Sequence, residues 1–359
     1  LTRQPAGVVP DRVLRPAGRI VSEIETRAHL TFPVRGYAVS ENALRAAEGR
    51  SLDDHRREVA ELWARLSRVA AENPEAWSPE PVSAAAIRAS GPGNPMLAFP
   101  YGKLHVSQWN VDQAAGLVLC SAATARSLGI PRDRWVFPLA VAESNAMLPL
   151  TERRLLHRSP GFARAGERAL ARAGCGVGDL DHLELYSCFP VAVRLQTREM
   201  GIDEDRPLTV TGGMAFAGGP LNHFALQAQA RMAQVLRAEP GSVGMVTAVS
   251  GILTTQGVSL WSAEPRGRGF GVDDVSDEVA AETPTVEVVE GARGTARLAS
   301  YTVLFEEGEP RRALLLCDLE DGRRALRLSP DAALAQALVR EEGCGRSVTL
   351  AADGGVALV

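Results

Sequence analysis

The chain has few cysteines and no closely spaced pair of them. Cys120, Cys175, Cys188, Cys317 and Cys344 are odd in number and scattered, which excludes a disulfide framework and the CxxC spacing of zinc sites. A reducing compartment, the cytoplasm, is the expected location. None of His29, His55, His105, His157, His182 and His223 stands in HxH or HExxH spacing, so no metal is expected. Long apolar runs are missing, so no membrane partner is expected, and the opening "LTRQPAGVVPDRV" does not read as a secretory signal. Positive charge is not in excess: the net charge is −4 and the sequence pI near 6.0. No basic field therefore invites nucleic acid. Lysine is scarce beside arginine, which reflects codon usage rather than a partner. Carboxylate pairs suited to glycoside chemistry are not evident.

What is present suits an ordered globular protein. The 359 residues are 45% hydrophobic and 23% charged, enough for two or three domains with a large core. Residues 1–50 are rich in Pro and Arg and read as mostly loop. Ser51, with Asp54 three residues on, caps a helix running to Glu72. Val59, Leu62, Trp63, Leu66 and Val69 form one apolar stripe along it, the pattern of core packing. Residues 81–110 are irregular.

"VDQAAGLVLCSA" (Val111 to Ala122) and "RWVFPLAVA" (Arg134 to Ala142) read as buried strands, the first leading into a short helix. Ser159, Pro160 and Gly174 bracket another helix. "LDHLELYS" is a strand leading into a helix from Pro190 to Met200. Leu208 to Val210 is a short strand, Asn222 to Ala238 a helix, and "SVGMVTAVSG" a further strand. Alternating strands and helices predict an α/β layer fold.

Residues 271–290 are acidic and poor in large apolar side chains, which suits a linker. Beyond them the order is β-β-β-α-β-β, that of an OB-type barrel. Such barrels can bind single strands on aromatic platforms. This one offers only Tyr301 and Phe305, beside Arg311, Arg312, Arg323, Arg324 and Arg327, so nucleic acid is not the expected partner.

"TGGMAFAGGPLNHFA" (Thr211 to Ala225) has two glycine pairs before a helix. It lacks the GK[ST] ending of a P-loop and the GxGxxG spacing of a dinucleotide fold. The helix start at Asn222 could hold a carboxylate, a thioester oxygen or a phosphate. His223 is the one histidine beside this loop, and Cys188 follows a strand end in "LYSCFP", where α/β sites are usually built. Cys188 could equally be a small packed thiol, the usual fate of a free cysteine.

Three segments taken together resemble the C-terminal half of the thiolase superfamily. "AGCGVGDLDHLELYSCF" is similar to the stretch leading to its Asn-Glu-Ala-Phe loop, or His-Asp-Cys-Phe in the sterol-carrier branch. "GGMAFAGGP" is similar to its Gly-Gly…Gly-His-Pro loop, and "GMVTAVSGILTTQG" to its closing strand and Cys-x-Gly loop. "VDQAAGLVLCSAATARSLGI" resembles the last strand and helix of the N-terminal half. With the OB-like tail, the closest resemblance is to type 1 thiolase-like proteins, whose actinobacterial members are often named acetyl-CoA acetyltransferases of lipid metabolism.

The resemblance implies a layered α-β-α-β-α core with an incomplete N-terminal half, then a small OB-like β-barrel domain. The expected divisions are 1–130, 131–265, a linker 266–290, and 291–359. It also implies that the family's nucleophilic cysteine lies upstream of residue 1. The family histidine before proline falls on Gly219, and the Asn or His of the second loop on Tyr186. The Cys-x-Gly loop carries Val249, Ser250 and Gly251, with no cysteine. Losing a positioned acid/base costs about 10²–10⁴ in rate, so ordinary thiolase chemistry is not expected.

The ligand so implied is an acyl-CoA or related thioester, with no bound cofactor and a homo-oligomer or partner chain as company. Tyr186, Cys188 and His223 are the catalytic candidates. Ser187, Phe189, Gly218, Gly219, Asn222, Ser250 and Gly251 are the expected binding residues. The alternatives are an acyl-CoA aldolase or acyltransferase with changed residues, and a non-catalytic scaffold whose OB-like domain holds a partner.

Overall fold

The computed structural model describes residues 18–266 and 269–359. Helices α1 (Glu23–Arg27), α2 (Pro33–Ala47), α3 (Leu52–Glu72) and α4 (Ala84–Arg88) come first, then strands β1 (Met96–Ala98) and β2 (Tyr101–Gly102). Next are α5 (Ala122–Ser127), β3 (Phe137–Ser144), α6 (Pro160–Ala173), β4 (His182–Glu184) and α7 (Pro190–Met200). They are followed by α8 (Phe224–Ala238), β5 (Val243–Ser250), β6 (Thr255–Ser262), β7 (Val272–Asp274) and α9 (Ser276–Glu282). The chain closes with β8 (Val288–Val289), β9 (Gly294–Glu306), β10 (Glu309–Leu319), β11 (Arg324–Ser329), α10 (Ala332–Leu338), β12 (Ser347–Leu350) and β13 (Val356–Leu358).

A five-stranded mixed sheet, ordered β4-β5-β6-β3-β7, carries the α/β core. Gly244 on β5 faces Met232 of α8, while Gln256 on β6 faces Gly161 of α6. Gly244 pairs with Trp261, and residues an odd number apart on a strand point to opposite faces. Helices α6 and α8 therefore cover opposite sides of this sheet. A second sheet, ordered β13-β12-β9-β10-β11-β8, forms the C-terminal β domain. Its elements follow the order read from the sequence. The pairing is an open path, and no described strand pair joins its outer strands. Helix α2 lies between α7 and β9 and so ties the two layers together.

The long α3 helix begins at Ser51, whose Oγ accepts from the Asp54 amide at 3.1 Å. Gly174 ends α6 in the left-handed region, as its place in the sequence suggests. Four readings need correction, the first being residues 1–50, which read as mostly loop but hold α1 and the 15-residue α2. Val111 to Ala122 contains no strand: Val118 is 91% exposed and Leu119 75%. Among the described residues no strand pairs with this run. Cys120 is accordingly exposed. Leu208 to Val210 is also not a strand, because the Glu184 carboxylate takes the Val210 amide instead of a neighbouring chain.

The acidic stretch read as a linker holds β7 and α9, packed on β3 and α6. Its carboxylates are partners, not solubilisers. Asp273, Glu278 and Glu282 pair with Arg172, Arg168 and Arg164 along α6.

Behind the core sheet, α2, α3 and α7 share a buried polar chain. Tyr101 Oη donates to Glu41 Oε2 at 2.5 Å, and His55 Nε2 lies 2.7 Å from Glu41 Oε1. Arg194 Nη1 is 3.1 Å from His55 Nδ1, and its Nη2 reaches Glu48 at 3.0 Å. A guanidinium only donates, so Nδ1 accepts and Nε2 carries the hydrogen toward Glu41. Burial opposes the charge on Glu41, but His55, Arg194 and Tyr101 outweigh it and hold the carboxyl below its ordinary range. Replacing Arg194 by Met removes one partner of this buried set and should cost about 3 kcal/mol in urea unfolding. A loss as small as that of a surface substitution would contradict the ionic reading.

Candidate active site

Strand β4 ends at Glu184, and the next residues turn into the loop Tyr186 to Phe189 before α7. Glu184 is fully buried, and a shell of donors from residues 209–211 surrounds it. The amides of Val210 and Thr211 donate to Oε2 at 2.8 and 2.7 Å. The hydroxyls of Thr209 and Thr211 each lie 3.0 Å from Oε1. Burial pushes the carboxyl up to about 7 against the pull of these hydrogen bonds. The carboxylate thus fixes the entry to the glycine-rich loop.

The glycines of that loop permit close packing. Gly212 has φ +103°, and a side chain there would run into the backbone of Ala70 on α3. Gly213, φ +75°, sits against Leu66 and Ser187, and Gly218 against Gln113. The Gly219 amide donates to the Gln108 carbonyl at 2.9 Å, and the Gln108 amide to the Met214 carbonyl at 2.9 Å. The Ser107 amide donates to the Cys188 carbonyl at 3.1 Å. Residues 107–108 therefore stitch the two loops together, and the Gly219 N–H is already committed.

The titratable side chains gather on the other flank of the Tyr186 loop. Tyr37 of α2 stacks on Phe189 with ring centroids 4.4 Å apart and donates its hydroxyl hydrogen to the Gly251 carbonyl at 2.9 Å. Besides burial, Cys188 lies close enough to raise the Tyr37 phenol. Burial, with Cys188 and Tyr186 nearby, holds the Tyr37 phenol well above its ordinary range. Burial pushes the Cys188 thiol up to about 12. Burial and Cys188 also raise the Tyr186 phenol. All three groups are protonated near neutrality. A thiol held so high is not a nucleophile. What the cluster can present is the Tyr186 O–H and the Cys188 S–H, the Tyr37 hydrogen being held by the Gly251 carbonyl.

The structure brings Tyr186, Ser187, Cys188 and Phe189 together with Gly251, and adds Tyr37. Ser187 is buried and accepts from the Met214 amide at 3.0 Å. Gly218 and Gly219 lie buried in the packed loop, and Ser250 is exposed. Asn222 is exposed and stands in a short 3₁₀ turn preceding α8. His223 is half-buried, its Nε2 atom enclosed without a partner, and the next residue, Phe224, meets the Tyr186 ring edge-on at 5.8 Å. Sequence reasoning missed Tyr37, because residues 1–50 read as loop. The available signal was Pro33 at a helix start, with Tyr37, Glu41 and Leu44 at helical spacing. Among the described residues no group of three or more His, Cys, Asp or Glu could hold a metal, and no helix is long and apolar enough to cross a membrane.

The architecture has close counterparts. Residues 274–355 match the model of the thiolase-like protein type 1 additional C-terminal domain. The crystal structure of a monomeric SCP2-thiolase like protein type 1 (STLP1) from Mycobacterium smegmatis superposes with TM-score 0.86 at 32% identity, over 95% of this chain and 75% of that one. The chain belongs to the type 1 thiolase-like family, within the thiolase superfamily. A curated acetyl-CoA acetyltransferase from Methanothermobacter thermautotrophicus is 27% identical over 217 residues, 54% of this chain and 55% of that protein. This chain thus spans about half the length of that relative, and 35% of the 3-ketoacyl-CoA thiolases it also matches. A solved structure described as Ltp2-ChsH2(DUF35) aldolase shares the fold at TM-score 0.55 and 19% identity, over 67% of this chain and 66% of that one.

Glu184 supplies a pH test. Its folded pKa, about 7, lies above the ordinary carboxylate value, so the folded state keeps a proton the unfolded state has released. Its contribution to stability is full below the unfolded pKa and is lost as pH rises through 7. Urea unfolding of Glu184→Gln between those limits should lack this fall, a difference of up to about 1.4 kcal/mol per pH unit. Parallel pH profiles for the two proteins would contradict the assignment.

Proposed function

We propose that this chain binds a thioester, of the acyl-CoA class, through the Tyr186 hydroxyl and Cys188 thiol donors beside Tyr37, and that it does not carry out thiolase chemistry with these residues. The observation that carries this reading is Tyr37, stacked on Phe189 and bonded to the Gly251 carbonyl beside Tyr186 and Cys188, whose phenol and thiol burial raises. Protonated donors suit a carbonyl oxygen, whereas Claisen condensation needs a base and a nucleophile. The relatives' names, acetyl-CoA acetyltransferase and 3-ketoacyl-CoA thiolase, agree with a thioester ligand. The reading needs no bound cofactor. It is compatible with a cytoplasmic protein and with a homo-oligomer or partner chain, and one fold relative is described with a DUF35 partner.

A second reading is retro-aldol cleavage of a β-hydroxyacyl thioester. Tyr186 would donate to the thioester, and His223, with its unpartnered Nε2, would take the hydroxyl proton. The scaffold reading has less support as a single-strand platform. Tyr301 is fully buried, Arg324 is buried against the backbone of residues 151–154, and Arg312 and Arg323 are paired with acids.

Calorimetry with acetyl-CoA and free CoA, beside a thiolysis assay with acetoacetyl-CoA, tests the proposal. Acetyl-CoA should bind without thiolysis, and Tyr186→Phe should weaken binding about tenfold, the worth of one well-formed hydrogen bond. Absence of heat with either ligand, or thiolysis that survives in Tyr186→Phe, would overturn it. Cleavage of 3-hydroxyacyl-CoA that disappears in His223→Ala would favour the aldolase reading instead.

A further inference from the structure

Arg153 is a buried cation without a carboxylate partner among the described residues. It is 7% exposed. Its Nε and Nη2 donate to the Leu148 carbonyl at 3.1 and 2.9 Å, and Nη2 also to the Ile252 carbonyl at 2.7 Å. Burial lowers the guanidinium to about 10, and Glu25 and Tyr37 are the groups that oppose this. Glu25 is itself engaged by the amides of Ser22 and Thr151, each at 2.8 Å. Three hydrogen bonds to two neutral carbonyls do not neutralise a full charge, and the Nη1 group makes none of these bonds.

Arg153 lines a cavity of about 370 Å³ between α6, α9 and the loop after β5. Gln256, only 4% exposed, lines the same cavity. Its Nε2 donates to the Leu253 carbonyl at 2.6 Å, which fixes the orientation of the amide, since a carbonyl only accepts. The opposite atom, Oε1, is buried and has no partner. A buried acceptor left unmatched costs about 1–3 kcal/mol unless a ligand or water supplies a hydrogen. The α6 N-terminus adds its positive end at this cavity: Pro160 and Gly161 line it, and the Ser159 side chain does not cap the helix. Arg158 and Arg164 also border it, but Glu199 and Glu282 neutralise them. The charge left over is that of Arg153.

We propose that this cavity binds a small hydroxycarboxylate, with Arg153 taking the carboxylate and Gln256 Oε1 accepting the hydroxyl hydrogen. Val279 and Thr283 of the family's additional C-terminal domain form one wall. That domain is therefore a component of a ligand site. The Arg324 guanidinium donates to the Thr151 and Arg153 carbonyls, at 3.3 and 2.6 Å, and holds the Arg153 segment against it. The site uses neither Tyr186 nor Cys188, so it stands or falls apart from the thioester reading.

The test is calorimetric titration of the full chain with 3-hydroxybutyrate, butyrate and inorganic phosphate. 3-Hydroxybutyrate should bind, and butyrate, which leaves Gln256 unmatched, should bind about tenfold more weakly. Arg153→Lys should weaken 3-hydroxybutyrate binding by about tenfold, because an ammonium lacks the planar fork. Arg153 also holds three backbone bonds, so that variant could fail to fold. Ala163→Phe fills the cavity from α6 without touching Arg153, and it should abolish binding with an unchanged melting temperature. No binding of 3-hydroxybutyrate up to about 50 mM would overturn the proposal. Tighter binding of phosphate, or wild-type affinity in Ala163→Phe, would do the same.

Discussion

The contact on which the remainder depends is the close approach of the α3 backbone to Gly212. It requires a residue without a side chain and with a left-handed backbone, and Gly212 supplies both. Once α3 is seated there, Leu66 packs on Gly213, and the Asn73 side chain donates to the Thr211 carbonyl at 2.9 Å. Glu184 fixes the same loop from below through the amides of Val210 and Thr211. Burial of a carboxylate is costly, and here the backbone donors that offset it come from the segment that needs fixing. The loop is thus rigid packing beside the Tyr186 to Phe189 turn.

The proposed function rests on this arrangement. A glycine-rich loop that carries a histidine can present a base to a substrate. Here the Gly219 amide is committed to the Gln108 carbonyl. What faces the Gly251 loop instead is Tyr37, together with a thiol and a second phenol that burial keeps protonated.

Much of the fold was legible in the sequence. Capping residues and apolar spacing place α3, α6 and α7, where local and tertiary preferences agree. The failures have tertiary causes. Val111 to Ala122 has the composition of a buried strand, but burial depends on a partner that composition does not reveal. The acidic residues of 273–282 looked like solvated linker because their arginine partners lie more than a hundred positions away on α6. Of the site, the residues local to one loop were legible from their motif. Tyr37 was not, since it reaches the site from a helix 214 positions distant from Gly251.

The most direct test of this account is the unfolding free energy of Gly212→Ala beside that of Gly49→Ala. Gly49 also has a positive φ, +67°, but nothing lies within 4 Å of the position its side chain would occupy. Gly49→Ala should cost about 1 kcal/mol, the backbone strain alone. Gly212→Ala should cost about 3 kcal/mol, because a rigid helix backbone must also move. Equal losses at the two positions would contradict the account, for they would mean that α3 does not rest on the glycine loop.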